Sequence, residues 1–126
     1  MRSILFKAKK LSDGKWVKGS LVKTPFGTFI EWYEDSICNK REVDTDTVCQ
    51  STGLKDCEGK EIWEGDILQD VDDDNIKYVV TFDQGAFFAR KVGLYTGIPL
   101  HECVGSLGND VITYAKVIGN KFDKKK

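Results

Sequence analysis

Histidine is almost missing from this chain: His101 is the only one among 126 residues. A metal site built on a histidine pair would therefore need a second chain. Proline occurs twice, at Pro25 and Pro99, and no apolar run approaches the ~20 residues of a membrane-spanning helix. The opening Met1-Arg2-Ser3-Ile4-Leu5-Phe6-Lys7 has too short an apolar core for a secretion signal, so a cytoplasmic protein with no membrane partner is expected. The four cysteines, Cys38, Cys49, Cys57 and Cys103, include no Cys-x-x-Cys pair, and in a reducing compartment they read as free thiols. His101-Glu102-Cys103 matches half of a zinc-deaminase motif, but the Pro-Cys-x-x-Cys half is missing. Gly105-Ser106-Leu107-Gly108 is not a nucleophile elbow, because Gly-x-Ser-x-Gly is absent, and there is no Walker motif or dinucleotide fingerprint. No cofactor is expected.

Charge is nearly balanced overall, at −1, but unevenly distributed. Residues 1–30 carry seven basic groups against one acidic group, and residues 56–74 carry nine acidic groups against one basic group. Solvated faces of opposite sign account for this, as does a polar contact between lobes or subunits.

Short β-branched or aromatic stretches, punctuated by glycine, predict strands over about 3–8, 15–23, 27–33, 66–70, 76–82, 86–92 and 111–118. Asp13-Gly14, Thr24-Pro25-Phe26-Gly27 and Asp83-Gln84-Gly85 read as the turns between them. Residues 34–50 read as a polar connection. The one helical stripe is short: Leu100, Cys103, Val104 and Leu107, with Pro99 in the first turn. The expected fold is mainly β. It comprises an N-terminal β lobe over 1–50, an SH3-like barrel or roll over 51–120 and a disordered basic tail over 121–126.

The middle of the chain is its most distinctive part. It runs Thr52-Gly53-Leu54-Lys55-Asp56-Cys57-Glu58-Gly59-Lys60-Glu61-Ile62-Trp63-Glu64-Gly65-Asp66. Together with Phe6-Lys7-Ala8-Lys9-Lys10 at the start and Val117-Ile118-Gly119-Asn120 near the end, this resembles the YopX family of phage and prophage proteins. The resemblance implies a fold and a mobile-element setting, not a reaction. Cys49 and Ser51 stand where the family more often has glycine and an aromatic residue, and Trp63 stands where it has Tyr or Phe.

Physically, the same segment reads as architecture. Gly53 and Gly59 supply left-handed backbone, Asp56 bonds nearby amides, and Leu54, Ile62 and Trp63 anchor the turns in a core. Asp66 braces the adjoining loop through main-chain bonds. Asp70-x-Asp72-x-Asp74 begins like a calcium loop, but Asn75 and Thr81 occupy the positions that need Gly and Glu, so a solvated hairpin tip is expected.

The aromatics on β segments are Trp16, Phe29, Trp32, Tyr33, Phe87, Phe88 and Tyr95. Strand alternation sends one of Trp32 and Tyr33, and one of Phe87 and Phe88, to each side of a sheet. Trp32, Trp63 and Phe87 form the candidate contact patch. The functional expectation is a non-enzymatic module that binds a protein or itself. The alternative is nucleic-acid binding through Lys7, Lys9, Lys10, Lys15, Lys18 and Lys23, with an enzyme built on the central carboxylates ranked last.

Overall fold

The alternating stretches become strands. A computed structural model describes residues 4–91, 97–100, 112 and 115–123. Eleven strands lie among them: β1 (Phe6–Lys9), β2 (Trp16–Thr24), β3 (Gly27–Glu34), β4 (Ile37–Glu42), β5 (Cys49–Lys55), β6 (Glu61–Trp63), β7 (Asp66–Asp70), β8 (Lys77–Asp83), β9 (Ala86–Lys91), β10 (Gly97–Pro99) and β11 (Ala115–Asn120). A 3-10 turn, Thr45–Thr47, precedes β5. The chain is mainly β and divides into two compact units, Met1–Ser51 and Thr52–Lys126.

In the first unit the strand order is β4-β3-β2-β1-β5, all neighbours antiparallel where their register is defined. The β1–β2 turn forms as expected. Gly14 adopts φ +73°, and Asp13 accepts from the Lys15 amide and pairs with Lys10 at 3.1 Å. The Lys15 amide bond, then Lys10, holds the Asp13 carboxyl below its ordinary range. At the β2–β3 turn the Thr24 hydroxyl accepts from the Phe26 amide. The sheet curls until Val43, just past β4, bridges Lys10, just past β1, with Val43 N donating to Thr28 O and Asp44 N to Lys9 O. The 3-10 turn seals this seam, since the Thr47 hydroxyl accepts from Lys9 N and Thr45 donates to Thr28. Inside the curl lie Ala8, Ile30 and Val43, with Phe6, Val17, Leu21, Trp32 and Val48 packed against them. Gly19 sits where the β2 and β3 backbones approach most closely: a Cβ there would fall 2.3 Å from Glu31 O.

In the second unit β10-β9-β8-β7-β11 form an antiparallel sheet of five strands. Of the expected barrel, these five strands are what the structure describes. Their inner face holds Leu68, Val80, Ala89, Ala115 and Val117, joined by Ile62, Leu100 and Ile112. The β8–β9 turn places Gln84 and Gly85 at φ +50° and +80°, the left-handed pair that fits a two-residue hairpin. The β7–β8 loop is the expected hairpin tip. Asp70 accepts from Asp72 N and Asp73 N, and Asp73 accepts from Asn75 N.

Four expectations need correction. The polar connection at 34–50 contains β4, a strand whose residues are nearly all exposed. It is entered by a turn in which Asp35 and Ser36 both take positive φ without a glycine. Thr52-Gly53-Leu54, read as a turn, lies in strand β5 although Gly53 takes φ +78°, and Glu61–Trp63, absent from the expected strands, forms the short strand β6. Pro99, expected in the first turn of a short helix, ends the edge strand β10, and Leu100 directly after it has 3-10 geometry. Residues 101–107 of that expected helix lie outside the described residues, as do His101-Glu102-Cys103, Ser106 and Tyr95. Residues 121–123 form a turn, and the remaining lysines of the tail are not described. Among the described residues, no helix is long and apolar enough to cross a membrane.

Candidate functional site

The two deepest carboxylates lie in the central motif. Asp56 is fully buried at 0% exposure. Its Oδ1 accepts from Glu58 N at 2.9 Å and Lys60 N at 2.8 Å, closing the turn that carries Gly59 at φ +82°. Its Oδ2 accepts from Val117 N at 2.8 Å, sixty-one residues away on β11. The Asp56 carboxylate thus fixes the β5–β6 turn against the last strand.

Asp66 is built the same way. Its Oδ2 accepts from Trp63 N at 2.8 Å and its Oδ1 from Asn120 Nδ2 at 2.9 Å. Asn120 is held in turn: its Oδ1 accepts from Phe122 N, and its amide donates to Asp123. Gly65, at φ +85°, donates to Val80 O and accepts from Lys121 N. Asp66, expected to brace the loop that follows it, instead holds the preceding Trp63 amide and the side chain of Asn120. Thr52 completes the set by donating to Ile62 O and accepting from Leu54 N. The Gly65 bonds run from backbone to backbone, Asp66 and Asn120 meet side chain to side chain, and the remaining contacts tie backbone groups to a short polar side chain. They explain why Thr, Asp, Gly, Asp and Asn occupy these positions without any reaction being involved.

Cys57, next to Asp56, is an exposed free thiol. Partial burial first, then the neighbouring Asp56 and Glu58 charges, push its pKa up. That is the opposite of what a nucleophilic cysteine needs. Cys38 is also free and exposed, and Cys49 is free and buried.

The candidate contact residues are Trp32, in the first unit, and Trp63 and Phe87, in the second, and each takes part in packing within its own unit. Trp63 is 3% exposed. Trp32 turns inward against the first core. Phe87 packs on the second core, its ring centroid 4.9 Å from that of Phe82 in an edge-to-face pair. Trp63 is thus buried, while Trp32 and Phe87 are half-buried. Among the described residues the exposed aromatic rings are Tyr33, 71% exposed, Phe26 at the β2–β3 tip, 90% exposed, and Phe82, 45% exposed.

Tyr33 belongs to a continuous surface. Because partners in register share a side of the sheet, Ile30, Leu21, Val17 and Ala8 define the inside of the N-terminal unit. The other side carries Lys7 and Lys9 of β1, Trp16, Lys18, Ser20 and Val22 of β2, Phe29, Glu31 and Tyr33 of β3, and Cys38, Lys40 and Glu42 of β4. Lysines and aromatics interleave there. Lys7 Nζ lies 4.5 Å from the Trp16 ring centroid and Lys9 Nζ 5.4 Å, while Lys40 Nζ lies 5.0 Å from that of Phe29. Such contacts hold the ammonium groups at the ring faces. Cys38, across the ladder from Tyr33, and then Glu31 push the Tyr33 phenol above its ordinary range. The phenol therefore stays neutral beside the lysines.

Sequence reasoning singled out Lys7, Lys9 and Lys18 but not their shared side. Lys10 and Lys23 fall on the opposite side, and Lys10 is paired with Asp13. Lys40 was hidden in the segment read as a connection.

The second unit also contains a hollow of about 220 Å³ lined by Leu68, Tyr78, Ile98, Leu100 and Ile112, with Asp70 at its margin. The Asp70 Oδ1 already serves two loop amides, so the hollow is an extension of the second core.

No curated protein matches this chain. The family model described as YopX protein matches residues 5–125, and it takes in the buried Asp56, Asp66 and Asn120. With nearly its whole length matched, the chain belongs to the YopX family.

Proposed function

We propose that this protein is a non-enzymatic binding module, encoded by a phage or mobile element and working in the cytoplasm of a bacterial host. It meets its partner through the outer face of the N-terminal sheet. The observation that carries this reading is the use of the central carboxylates. Acid–base or metal chemistry needs carboxylate oxygens turned toward a substrate, whereas those of Asp56 and Asp66 accept from Val117 N, Trp63 N and Asn120 Nδ2 within the fold. Binding surfaces, by contrast, expose aromatic rings within polar surroundings, as Tyr33 does among Lys18, Ser20 and Lys40.

The expected partners are a protein, a second copy of the chain or a nucleic acid. A single experiment tests the surface for all of them. The chain is incubated in host lysate, cross-linked with a photoreactive group at solvent-exposed positions in each unit, and the captured material is mapped by mass spectrometry. Cross-links from positions in β2, β3 and β4 support the reading. Capture confined to positions in the second unit, or turnover of a phosphoester, ester or glycoside substrate abolished by Asp66→Asn without loss of fold, would overturn it.

A further inference from the structure

We infer that the ligand of this outer face is single-stranded nucleic acid, an inference that rests on the face being the contact surface. Four lysines stand on it, Lys7, Lys9, Lys18 and Lys40, against two glutamates, Glu31 and Glu42. Lys7 and Lys18 are direct cross-strand partners, as are Lys9 and Trp16. Side chains so paired have Cβ atoms about 5 Å apart, which brings two ammonium groups within reach of one phosphate. The cations therefore form a line across β1 and β2, with Lys40 on the far side of β3.

Between them lie Trp16, Phe29 and Tyr33. A polyanion with flat apolar groups at regular intervals satisfies both components: phosphates at the lysines and bases on the rings. An acidic peptide would engage the lysines but give the exposed Tyr33 ring no base to stack on. A duplex would present phosphates while keeping its bases stacked internally, and no helix among the described residues is available to enter a groove. The chain's net charge of −1 does not oppose this, because the first unit carries nine basic and seven acidic residues, a local +2.

The test is fluorescence anisotropy of a labelled oligothymidine of about 20 nucleotides with the full chain, titrated at several salt concentrations. With four phosphate contacts, affinity should fall roughly 50-fold between about 50 and about 200 mM salt. Lys18→Ala with Lys40→Ala should halve the logarithmic salt slope. Tyr33→Ala should weaken binding by at least about fivefold while leaving that slope unchanged. Lys23→Ala, on the opposite side, should change neither. Absence of binding at low salt, equal losses from Lys23→Ala and Lys18→Ala, or a duplex bound as tightly as the single strand each overturn the inference. If the oligonucleotide fails while lysate cross-links still map to β2, β3 and β4, the face is a protein surface and only this inference falls. If the cross-links also map elsewhere, the proposed surface falls with it.

Discussion

Replacing Asp56 by alanine removes one carboxylate and strands three amides. Glu58 and Lys60 are exposed residues at the turn, so water can take over much of their bonding. Val117 N cannot be rescued in this way, because Val117 is 8% exposed and lies in the second core. A hydrogen bond to a charged acceptor contributes about 1.5–3 kcal/mol, and a buried donor left alone costs a similar amount. Adding about 1 kcal/mol for the two turn bonds gives a loss of roughly 3–4 kcal/mol. Marginal stability makes that a large fraction of the total, and at about 4 °C per kcal/mol the melting temperature should fall by about 12–16 °C. Urea unfolding in a Trp16→Phe, Trp32→Phe background reads the second unit alone, because Trp63 is then the only indole and is itself buried there. Asp56→Asn is the informative companion: one amide oxygen can still serve the turn, but its NH₂ group would face Val117 N donor to donor. It should therefore recover about 1 kcal/mol and no more. If Asp56→Ala melts within about 1 kcal/mol of the parent chain, the claim that the central motif is architectural is refuted.

Gly19→Ala should destabilise the first unit by about 1–3 kcal/mol, read by tryptophan fluorescence in a Trp63→Phe background, because its Cβ would collide with backbone rather than a yielding side chain. Phe26→Ser, at a tip that is 90% exposed, should leave the urea midpoint within about 0.5 kcal/mol of the parent. Cys57 should react with iodoacetamide more slowly in the folded chain than in urea at the same mildly alkaline pH, as peptide mapping would show. Since folding raises its pKa, that thiol's contribution to stability is present at neutral pH and is lost as pH climbs through its folded value. A Cys57 that alkylates equally fast in both states would contradict the burial and the Asp56 charge as causes.

What the sequence makes legible is whatever depends on neighbours in the chain. Strand β7 begins and ends where the apolar run does, β8 and β9 are read from their aromatic and β-branched content, and Asp13-Gly14 makes the turn its chemistry favours. Strand β4 is hidden because Ile37-Cys38-Asn39-Lys40-Arg41-Glu42 is polar and exposed, and because its turn uses Asp35 and Ser36 where glycine would have announced it. The architectural role of Asp56 and Asp66 is half visible. Their turn amides lie within four residues, but Val117 and Asn120 are more than fifty residues away and leave no local signal. The direction in which Trp32 points is hidden for a related reason. Alternation says that Trp32 and Tyr33 point to opposite sides, but only the register with Leu21, which buries Ile30, decides that the tryptophan goes in and the tyrosine out.

The bonds from Asp56 to Val117 and from Asp66 to Asn120 also set an order of events during synthesis. By the time Ser51 has emerged from the ribosome, strands β1 to β4 have all been made and can pair with one another while translation continues. The second unit cannot be completed so early: its two deepest carboxylates wait for a strand that is made more than fifty residues after them. Until then its apolar strands are exposed to chaperones and proteases, and a transcript cut short before Val117 would yield a half-folded chain for the cell to clear.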